Sequence, residues 1–573
     1  MKSKMMILLL LLISTLIHAQ YDEKQILTQQ ANQYMVQRQY SEAERLYLEL
    51  LEKYPTDLGS ILQLMQLYFN LNQSEKAEAH LARFQRVLPQ NTYSEQHIQL
   101  LLLQGLIDDA KRESEAYLDL YSHDQSKYRL MAMFFERRGF HDYAIELYEQ
   151  ARSRLGKSIF SLEIANSAMQ AQRPKLALSE YLQHMASANN ANQYIKNQIA
   201  GIVKADSTLI EDVKEFSETH PSPLVLELYA YTLVSIKHYS AALEIYKSLP
   251  ETYLRDFALE QLRLQNYEVA LPAYRHLASV NNQPFQRISY HLEVARILHQ
   301  VAEYDSSTVE LSRILQDAYW GKNPANQRNP LYVSIRKLIA QNAMAKGEDI
   351  SVVQRLTEEA KSYANQALTR QELELELARL AILSGDFDTA DKTLDQVTLE
   401  QVSPTKDYLY FLSAFMQNDM PQADSLMNDY MLKHPGNDFA NDIIYLNMLS
   451  INMQAPQQKR FSSAISLLQQ MKPAGVDSLY SIFRENGDEE LLLLAIEWAI
   501  GMNDIPKAEA MLDHEFSDPL ASEYASFMRL ALSGNPEEEN ALARDFLKTK
   551  PNSIFSPGFR QVISRVANSR ISL

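Results

Sequence analysis

The fold of this 573-residue chain is decided by QYSEAERLYLELLEKYP (39–55) and QSEKAEAHLARFQRVLP (73–89), two stretches that share one pattern. Ala43 and Ala77 are 34 residues apart, and Pro55 and Pro89 have the same spacing. Further alanines follow in phase, namely Ala110, Ala144 and Ala177. Five alanines at one period do not arise by chance, so we predict a structural unit of about 34 residues that is repeated along the chain.

The composition favours helices over strands and nucleotide-binding loops. Glycine contributes 14 residues and proline 20, and both are below their ordinary shares of about 7% and 5%. Strand turns and phosphate-binding loops both require glycine. The hydrophobic share of 46% is enough for a large core and excludes general disorder. A chain of this length exceeds one compact core, so it forms several domains or one extended array.

The recurring residues resemble the tetratricopeptide repeat (TPR) family, which places small, aromatic and proline residues at fixed positions of an about 34-residue unit. The first unit matches at Leu27, Ala31, Tyr34, Ala43, Tyr47 and Pro55, and departs at Leu50, where a small residue is usual. The second unit matches more loosely, and the third keeps little beyond Ala110. The fourth unit matches well, at Tyr128, Ala132, Phe135, Ala144, Tyr148 and Ala151, but has no proline at its end. Units after about residue 190 are only suggestive of the same pattern.

The resemblance implies an all-α fold, a helical-repeat solenoid in which antiparallel helix pairs form a right-handed superhelix. Small residues let paired helices approach, aromatic residues fill the space between repeats, and neighbouring repeats must stack to bury their faces. We predict four regions: a signal peptide at 1–19, an N-terminal TPR array at 20–188, degenerate TPR-like repeats with polar insertions at 189–330, and a C-terminal TPR-like array with a capping helix at 331–573.

Two stretches interrupt the repeat pattern. Residues 186–223 are polar and shift the phase, and residues 319–330 (YWGKNPANQRNP) are rich in asparagine and proline. Each is a plain insertion or a functional loop. If residues 319–330 are functional, they either contact a ligand or form a joint between two sub-solenoids.

The N-terminus has the pattern of a secretory signal peptide. Lys2 and Lys4 precede the apolar run MMILLLLLISTLI (5–17), and Ala19 is a small residue suited to the position before a cleavage. The run has 13 residues, fewer than the roughly 18–20 that span a bilayer. We therefore expect export, with a bacterial periplasm as the destination and no membrane span after cleavage. An uncleaved N-terminal anchor is the alternative.

The charge and the missing motifs limit the possible chemistry. Lys and Arg total 55 and Asp and Glu total 72, which gives a net charge of −17. An acidic body repels phosphate backbones, so we expect no nucleic-acid partner. Cysteine is absent from the sequence, which excludes thiolate metal sites and a cysteine nucleophile. No HExxH, GxSxG or complete P-loop motif occurs. We expect no enzyme activity, no cofactor and no metal ion.

The family resemblance also places particular first-helix side chains along the inner groove of the array. Carried over to this sequence, the candidate partner-binding residues are Asn32, Leu62, Gln66, Phe69, Arg129, Met133 and Arg137. A mixed polar and apolar groove suits an extended peptide or a helix. Phe69 and Met133 are large and apolar, so their exposure to water in the groove would be unfavourable. We therefore expect these two side chains to contact a partner.

These observations support two hypotheses about the function of the protein. The first is a non-catalytic exported scaffold that binds protein or peptide partners along its concave groove, in cell-envelope assembly or secretion. The second is a self-assembling structural component of the envelope, in which the groove holds another copy of the chain. An enzyme with its residues in 186–223 or 319–330 has no motif to support it.

Overall fold

The computed structural model describes residues 23–156, 159–188, 192–533 and 535–570. Throughout these residues the fold is all-α, with no β-strand. The predicted signal peptide at 1–19 lies outside the described residues. The all-α helical-repeat prediction is confirmed, and the chain has a TPR-like repeat fold.

The helices follow one another with short connections. They are α1 (23–36), α2 (Tyr40–Lys53), α3 (Leu58–Asn70), α4 (Ser74–Phe84), α5 (Gln90–Leu103), α6 (Ile107–Leu120), α7 (Gln125–Glu136), α8 (His141–Leu155), α9 (Ser161–Gln170), α10 (Pro174–Ala188), α11 (Gln193–Ala205), α12 (Ile210–Thr219), α13 (Pro223–Ser235), α14 (Tyr239–Ser248), α15 (Glu251–Arg263), α16 (Tyr267–Val280), α17 (Pro284–Gln300), α18 (Tyr304–Leu315), α19 (Ala318–Lys322), α20 (Pro330–Ala345), α21 (Ile350–Tyr363), α22 (Ala367–Ser384), α23 (Phe387–Asp395), α24 (Ser403–Met416), α25 (Met420–Lys433), α26 (Phe439–Ile451), α27 (Ala455–Gln469), α28 (Ala474–Asn486), α29 (Glu489–Gly501), α30 (Ile505–Leu512), α31 (Pro519–Leu532), α32 (Pro536–Thr549) and α33 (Ser556–Arg570). Short 3₁₀ turns occur at Ser207–Leu209, Pro324–Arg328 and Glu400–Val402.

Consecutive helices pack as antiparallel pairs. α7 packs on α8, and α9 on α10, across turns of a few residues. The five in-phase alanines lie on the second helices of the first five pairs, and each is fully buried: Ala43, Ala77, Ala110, Ala144 and Ala177. A larger side chain at these positions would hold the helices apart. The alanine period therefore predicted the helix contacts correctly.

One left-handed residue shapes the turn inside each of the first five pairs. These residues are Arg38, Asn72, Gly105, Gly139 and Gln172, with φ between 55° and 84°. They keep the same phase as the alanines, at intervals of 33 or 34 residues. Only two of the five are glycine, so composition did not reveal the turn. Of the other three, Asn72 is a residue that tolerates the left-handed region, whereas Arg38 and Gln172 adopt it at a cost of about 1–2 kcal/mol each.

The chain divides into two compact units, one ending at His238 and the other beginning at Tyr239. In the first unit, α3 packs on α5 and α5 packs on α7, so the first helices of neighbouring pairs lie side by side. The second unit contains the largest hydrophobic cluster, built around the helices from α22 to α31.

The stretch 186–223 continues the helical array, in contrast to the interruption suggested by its polar composition. α11 buries Ile195, Ile199 and Val203 at helical spacing and packs on α10 and α13. Ser222 accepts a hydrogen bond from the Val225 amide, so the proline-rich end of the stretch caps α13. The polar residues before and between these apolar side chains, among which are Asn192, Lys196 and Asn197, concealed their helical spacing.

The stretch 319–330 is a packing element of the second unit. Trp320 is 2% exposed and lies in a cluster with residues of α17 and α20. Its indole Nε1 donates to the Ile314 carbonyl at 2.8 Å. The side-chain Nδ2 of Asn326 donates to the Tyr319 carbonyl at 2.6 Å, so the two ends of the loop are held together. Trp320 is therefore part of the hydrophobic core of the second unit.

The second unit also folds back on itself over a long sequence interval. Ser466 Oγ and Gln470 Nε2 of the α27 region both donate to the Leu383 carbonyl, at 3.2 and 3.1 Å. The Lys472 ammonium donates to the Gly347 carbonyl. The α20–α21 turn thus contacts the α27–α28 turn, and a Cβ on Gly347 would lie 2.8 Å from the Met471 carbonyl oxygen.

Replacing Gly347 by alanine tests this contact against a matched control. Gly347 and Gly105 both have left-handed backbones, with φ of 68° and 75°, but a Cβ on Gly105 meets nothing within 4 Å. Both substitutions incur a left-handed backbone cost of about 1–2 kcal/mol. Gly347→Ala is expected to lower the local free energy of unfolding by about 1–3 kcal/mol more, because Met471 must move.

Amide hydrogen exchange in the two turns measures the difference between these variants. Gly347→Ala should accelerate exchange in both the α20–α21 and α27–α28 turns, whereas Gly105→Ala should change only its own α5–α6 turn. Equal exchange in the α27–α28 turn for both variants would contradict the contact.

Candidate partner-binding surface

Polar side chains occupy the same phase on four of the first five first helices of the first unit. They are Asn32 on α1, Gln66 on α3, Gln99 on α5 and Asn166 on α9, with Met133 on α7 in the same phase. The intervals are 34, 33, 34 and 33 residues. Asn32 and Asn166 are exposed, and the other three are half-buried. We call the four carboxamides the amide row.

Tyrosines of the second helices orient the two asparagines of the amide row. The Tyr47 hydroxyl donates to Asn32 Oδ1 at 2.7 Å, and the Tyr181 hydroxyl donates to Asn166 Oδ1 at the same distance. Burial raises the pKa of both tyrosines, so both stay protonated donors. Because the oxygens accept these bonds, the NH₂ groups of both asparagines face outward as donors.

Two cavities open along the amide row. Gln66 and Gln99 line a cavity of about 210 Å³ together with Phe69, Arg137 and Arg138. Residues from α3, α5 and α7 therefore meet in one site, and Arg138 donates to Asn72 Oδ1 at 2.8 Å, 66 positions earlier. Asn166 lines a second cavity of about 440 Å³.

The charge at the smaller cavity is positive. Arg137 is exposed and makes no ion pair with any described residue. Arg138 bonds only an amide oxygen, that of Asn72. The cavity thus combines two guanidinium groups with carboxamides, an arrangement that can bind a carboxylate or a peptide carbonyl.

The structure distributes the predicted residues over different environments. Gln66, Phe69 and Arg137 meet in the smaller cavity. Asn32, Leu62 and Met133 lie on other parts of the first-helix face, and the latter two are half-buried. Arg129 is exposed, but its guanidinium pairs with Glu163 at 2.8 Å and lies over the Phe160 ring, so it ties α7 to the start of α9.

Phe69 was expected to face water in the groove, but the structure buries it. Its contact with a partner stays a prediction. Phe69 is only 5% exposed and belongs to the core of the first two repeats. It packs there because α3 is apolar on nearly all sides and lies between α2 and α5. Phe69 therefore forms part of the floor of the smaller cavity.

Sequence reasoning missed Gln99 and Asn166. The third repeat matched the family pattern poorly, and the groove positions were not extended to the fifth. The signal was nevertheless present, because the 33- and 34-residue intervals that relate the alanines also relate Asn32, Gln66, Gln99 and Asn166.

The other large cavities are less suited to a partner. One, of about 980 Å³, lies between the second helices α10 and α12 and is lined by the apolar side chains of Leu178, Leu182 and Phe216. A cavity of about 760 Å³ in the second unit contains Arg379, but its guanidinium already binds both oxygens of Glu376, at 2.7 and 3.0 Å. The charged group at this site is thus satisfied internally.

Within the described part of the chain, no group of three or more His, Asp or Glu side chains is arranged to hold a metal ion. Among the same residues, no helix combines the length and the hydropathy of a membrane span.

Comparison with known proteins adds little to this description. No family model matches the sequence, and no curated protein matches it either. Matching solved structures include the APC/C hetero-tetramer Cut9–Hcn1, at 13% identity over 95% of this chain and 96% of that chain, with a TM-score of 0.23. The structure of Naa15/Naa10 bound to HypK-THB matches at 12% identity over 95% and 93%, with a TM-score of 0.27.

A third match is the pentatricopeptide repeat protein PPR10 from maize, at 13% identity over 91% of this chain and 86% of that chain, with a TM-score of 0.31. TM-scores this low carry no argument. The TPR-like fold of this chain therefore rests on its own helix pairs, buried alanines and phased turns.

Proposed function

We propose that this protein is a non-catalytic, exported scaffold that binds a segment of a protein partner along the first helices of its N-terminal unit. The amide row is the observation that carries the proposal. Four of the first five repeats have a carboxamide in the same phase, and the fourth repeat has Met133 there. Such a set of donors and acceptors matches a ligand that is itself periodic, and an extended peptide is such a ligand.

The chemistry of the amide row suits a peptide backbone. Each carboxamide has a donor and an acceptor, as does each peptide unit. An extended chain leaves these backbone groups free, whereas a folded surface has already paired them. Arg137, which has no ion-pair partner among the described residues, adds a positive charge for an acidic side chain or a terminal carboxylate.

The proposed location comes from the sequence. The N-terminal segment has the charge, apolar run and small residue of a secretory signal, which supports a role in envelope assembly or secretion. The absence of catalytic motifs supports binding over catalysis. The acidic body supports a protein partner over a nucleic acid.

Site-specific photo-crosslinking in intact cells tests the proposal. A photoreactive phenylalanine analogue replaces Gln66 or Gln99 in the amide row, or Glu146 as the control. Glu146 is exposed on α8, a second helix of the same unit. We expect one discrete adduct from both row positions and none from Glu146. The adduct should weaken when Arg137→Glu is added, because that change reverses the charge beside Gln99.

Equal crosslinking from Glu146 and the amide row would contradict the proposed face. An adduct with a second copy of the chain would instead support the self-assembling alternative, and light scattering of the purified protein would then show an oligomer. Sequencing of the N-terminus of the same purified protein tests export, with Gln20 as the expected first residue.

A further inference from the structure

A second surface, in the C-terminal unit, has different chemistry from the amide row. α26 exposes Ile444, Met448 and Ile451, whose side chains are 46%, 52% and 67% exposed. Their spacing of four and three residues places them on one side of the helix. The opposite side of α26 is buried in the core, through Ile443, Leu446 and Leu449 among others. α26 therefore leaves a three-residue apolar stripe in water.

An acidic helix lies beside this stripe. Tyr445, next to the stripe on α26, donates to Glu490 Oε2 of α29 at 3.5 Å. Seven residues after Glu490, Glu497 accepts a hydrogen bond from the Tyr524 hydroxyl of α31. Both glutamates are exposed, and the α29 residues between them are buried. We call the apolar stripe together with Glu490 and Glu497 the acidic groove.

The acidic groove lacks a balancing charge. α26 and α29 contain no lysine or arginine. Among the described residues, neither Glu490 nor Glu497 has a cation within ion-pair distance. Burial raises the pKa of Glu490, and its acidic neighbours Asp488, Asp518 and Glu497 add to the effect. Repulsion among these carboxylates is a cost that a bound cation would remove.

We propose that the acidic groove binds a basic amphipathic helix of a partner protein. Leucine-like side chains of that helix, spaced four and three residues apart, would cover Ile444, Met448 and Ile451. Lysine or arginine on one flank would pair with Glu490 and Glu497. The spacing of the apolar stripe matches that of apolar residues on one face of a helix. The unpaired carboxylates of Glu490 and Glu497 favour an occupant with positive charge.

Binding of a designed helix to the full-length protein tests this inference. The probe is an 18-residue fluorescein-labelled peptide with leucine on one face and lysine along the adjoining flank. A scrambled peptide of the same composition has the same net charge but no apolar face. Fluorescence anisotropy should give a Kd for the designed peptide at least about tenfold lower than for the scrambled one.

Variants of the protein then locate the site. Met448→Asp and the double change Glu490→Lys/Glu497→Lys should each weaken binding about tenfold or more. The double variant should instead bind a peptide in which glutamate replaces lysine. Val309→Asp on α18 is the matched control, because Val309 is also an exposed apolar residue, at 62%; it should leave the Kd within about twofold.

Three results would overturn the inference: equal binding of the scrambled peptide, an unchanged Kd in the charge-reversed variant, or equal weakening by Val309→Asp. Self-association that Met448→Asp abolishes would also overturn it, because the occupant would then be a second copy. The test uses no residue of the amide row, so its outcome is independent of the proposed function.

Discussion

Arg152→Ala is expected to lower the local free energy of unfolding of α8–α10 by about 3–5 kcal/mol, because it leaves a buried carboxylate unpaired. Arg152 and Glu180 side chains are 15% and 7% exposed. The guanidinium binds both carboxylate oxygens, at 2.6 and 2.5 Å. It also donates to the Ile159 carbonyl and to Ser161 Oγ, both at 2.8 Å. One side chain therefore joins α8, α9 and α10.

Arg154 provides the matched control on the same helix. It pairs with Asp119 at 3.0 Å, but these side chains are 31% and 67% exposed. Arg154→Ala should cost less, about 1–2 kcal/mol, because water screens the ion pair and the change otherwise removes only one hydrogen bond, to the Tyr128 hydroxyl at 3.0 Å. The double change Arg152→Met/Glu180→Leu should recover most of the loss, since no charge is left in the interior.

Amide hydrogen exchange of α8, α9 and α10 gives the local opening free energy for each variant. A chain with two compact units has no single unfolding transition, so a local measurement is needed. Equal effects of Arg152→Ala and Arg154→Ala would show that the buried pair does not hold these helices together.

Trp320→Ala is expected to lower the opening free energy of α17, α18 and α20 by about 3–5 kcal/mol, through the cavity it leaves. The indole ring lies 4.9 Å from the Tyr332 ring, measured between centroids. The change also leaves the Ile314 carbonyl without its 2.8 Å bond from the indole. Trp320→Phe should cost less, because it keeps part of the packing and loses only the hydrogen bond and some volume.

Lys322→Ala is the control for Trp320→Ala, since Lys322 is exposed on the same short helix. It should change the opening free energy by less than about 0.5 kcal/mol. Hydrogen exchange of the three helices again measures the effect. If Trp320→Ala left exchange unchanged, the packing role of this segment would be refuted, and a role in ligand contact would return as the explanation.

The sequence was most informative where one residue type had to meet one local requirement. Close helix approach requires a small side chain, so the alanine period located the pairs from Ala43 to Ala177. The turns were less visible, because Arg38, Asn72 and Gln172 adopt left-handed backbones that only glycine would have signalled. In 186–223, the polar residues Lys196, Asn197 and Gln198 between two buried isoleucines hid a regular helix.

The candidate surface was predicted in part. Family positions located Asn32, Gln66 and Arg137, and the period alone would have added Gln99 and Asn166. Exposure could not be predicted from residue type, as Phe69 shows, because it depends on which helix lies across from each face. The acidic groove was not foreseen either, since its stripe and its glutamates belong to helices about 40 residues apart in sequence.

The sequence by itself determined the helices and their pairing, because both depend on contacts within about 34 residues. The residues that make these contacts recur at regular intervals in the sequence. The tertiary structure alone decided which faces meet over long intervals. Gly347 and Met471 are in contact across 124 positions, and Trp320 is core rather than surface. Such contacts arise from the summed packing of many intervening helices, and no local pattern of residues records that sum.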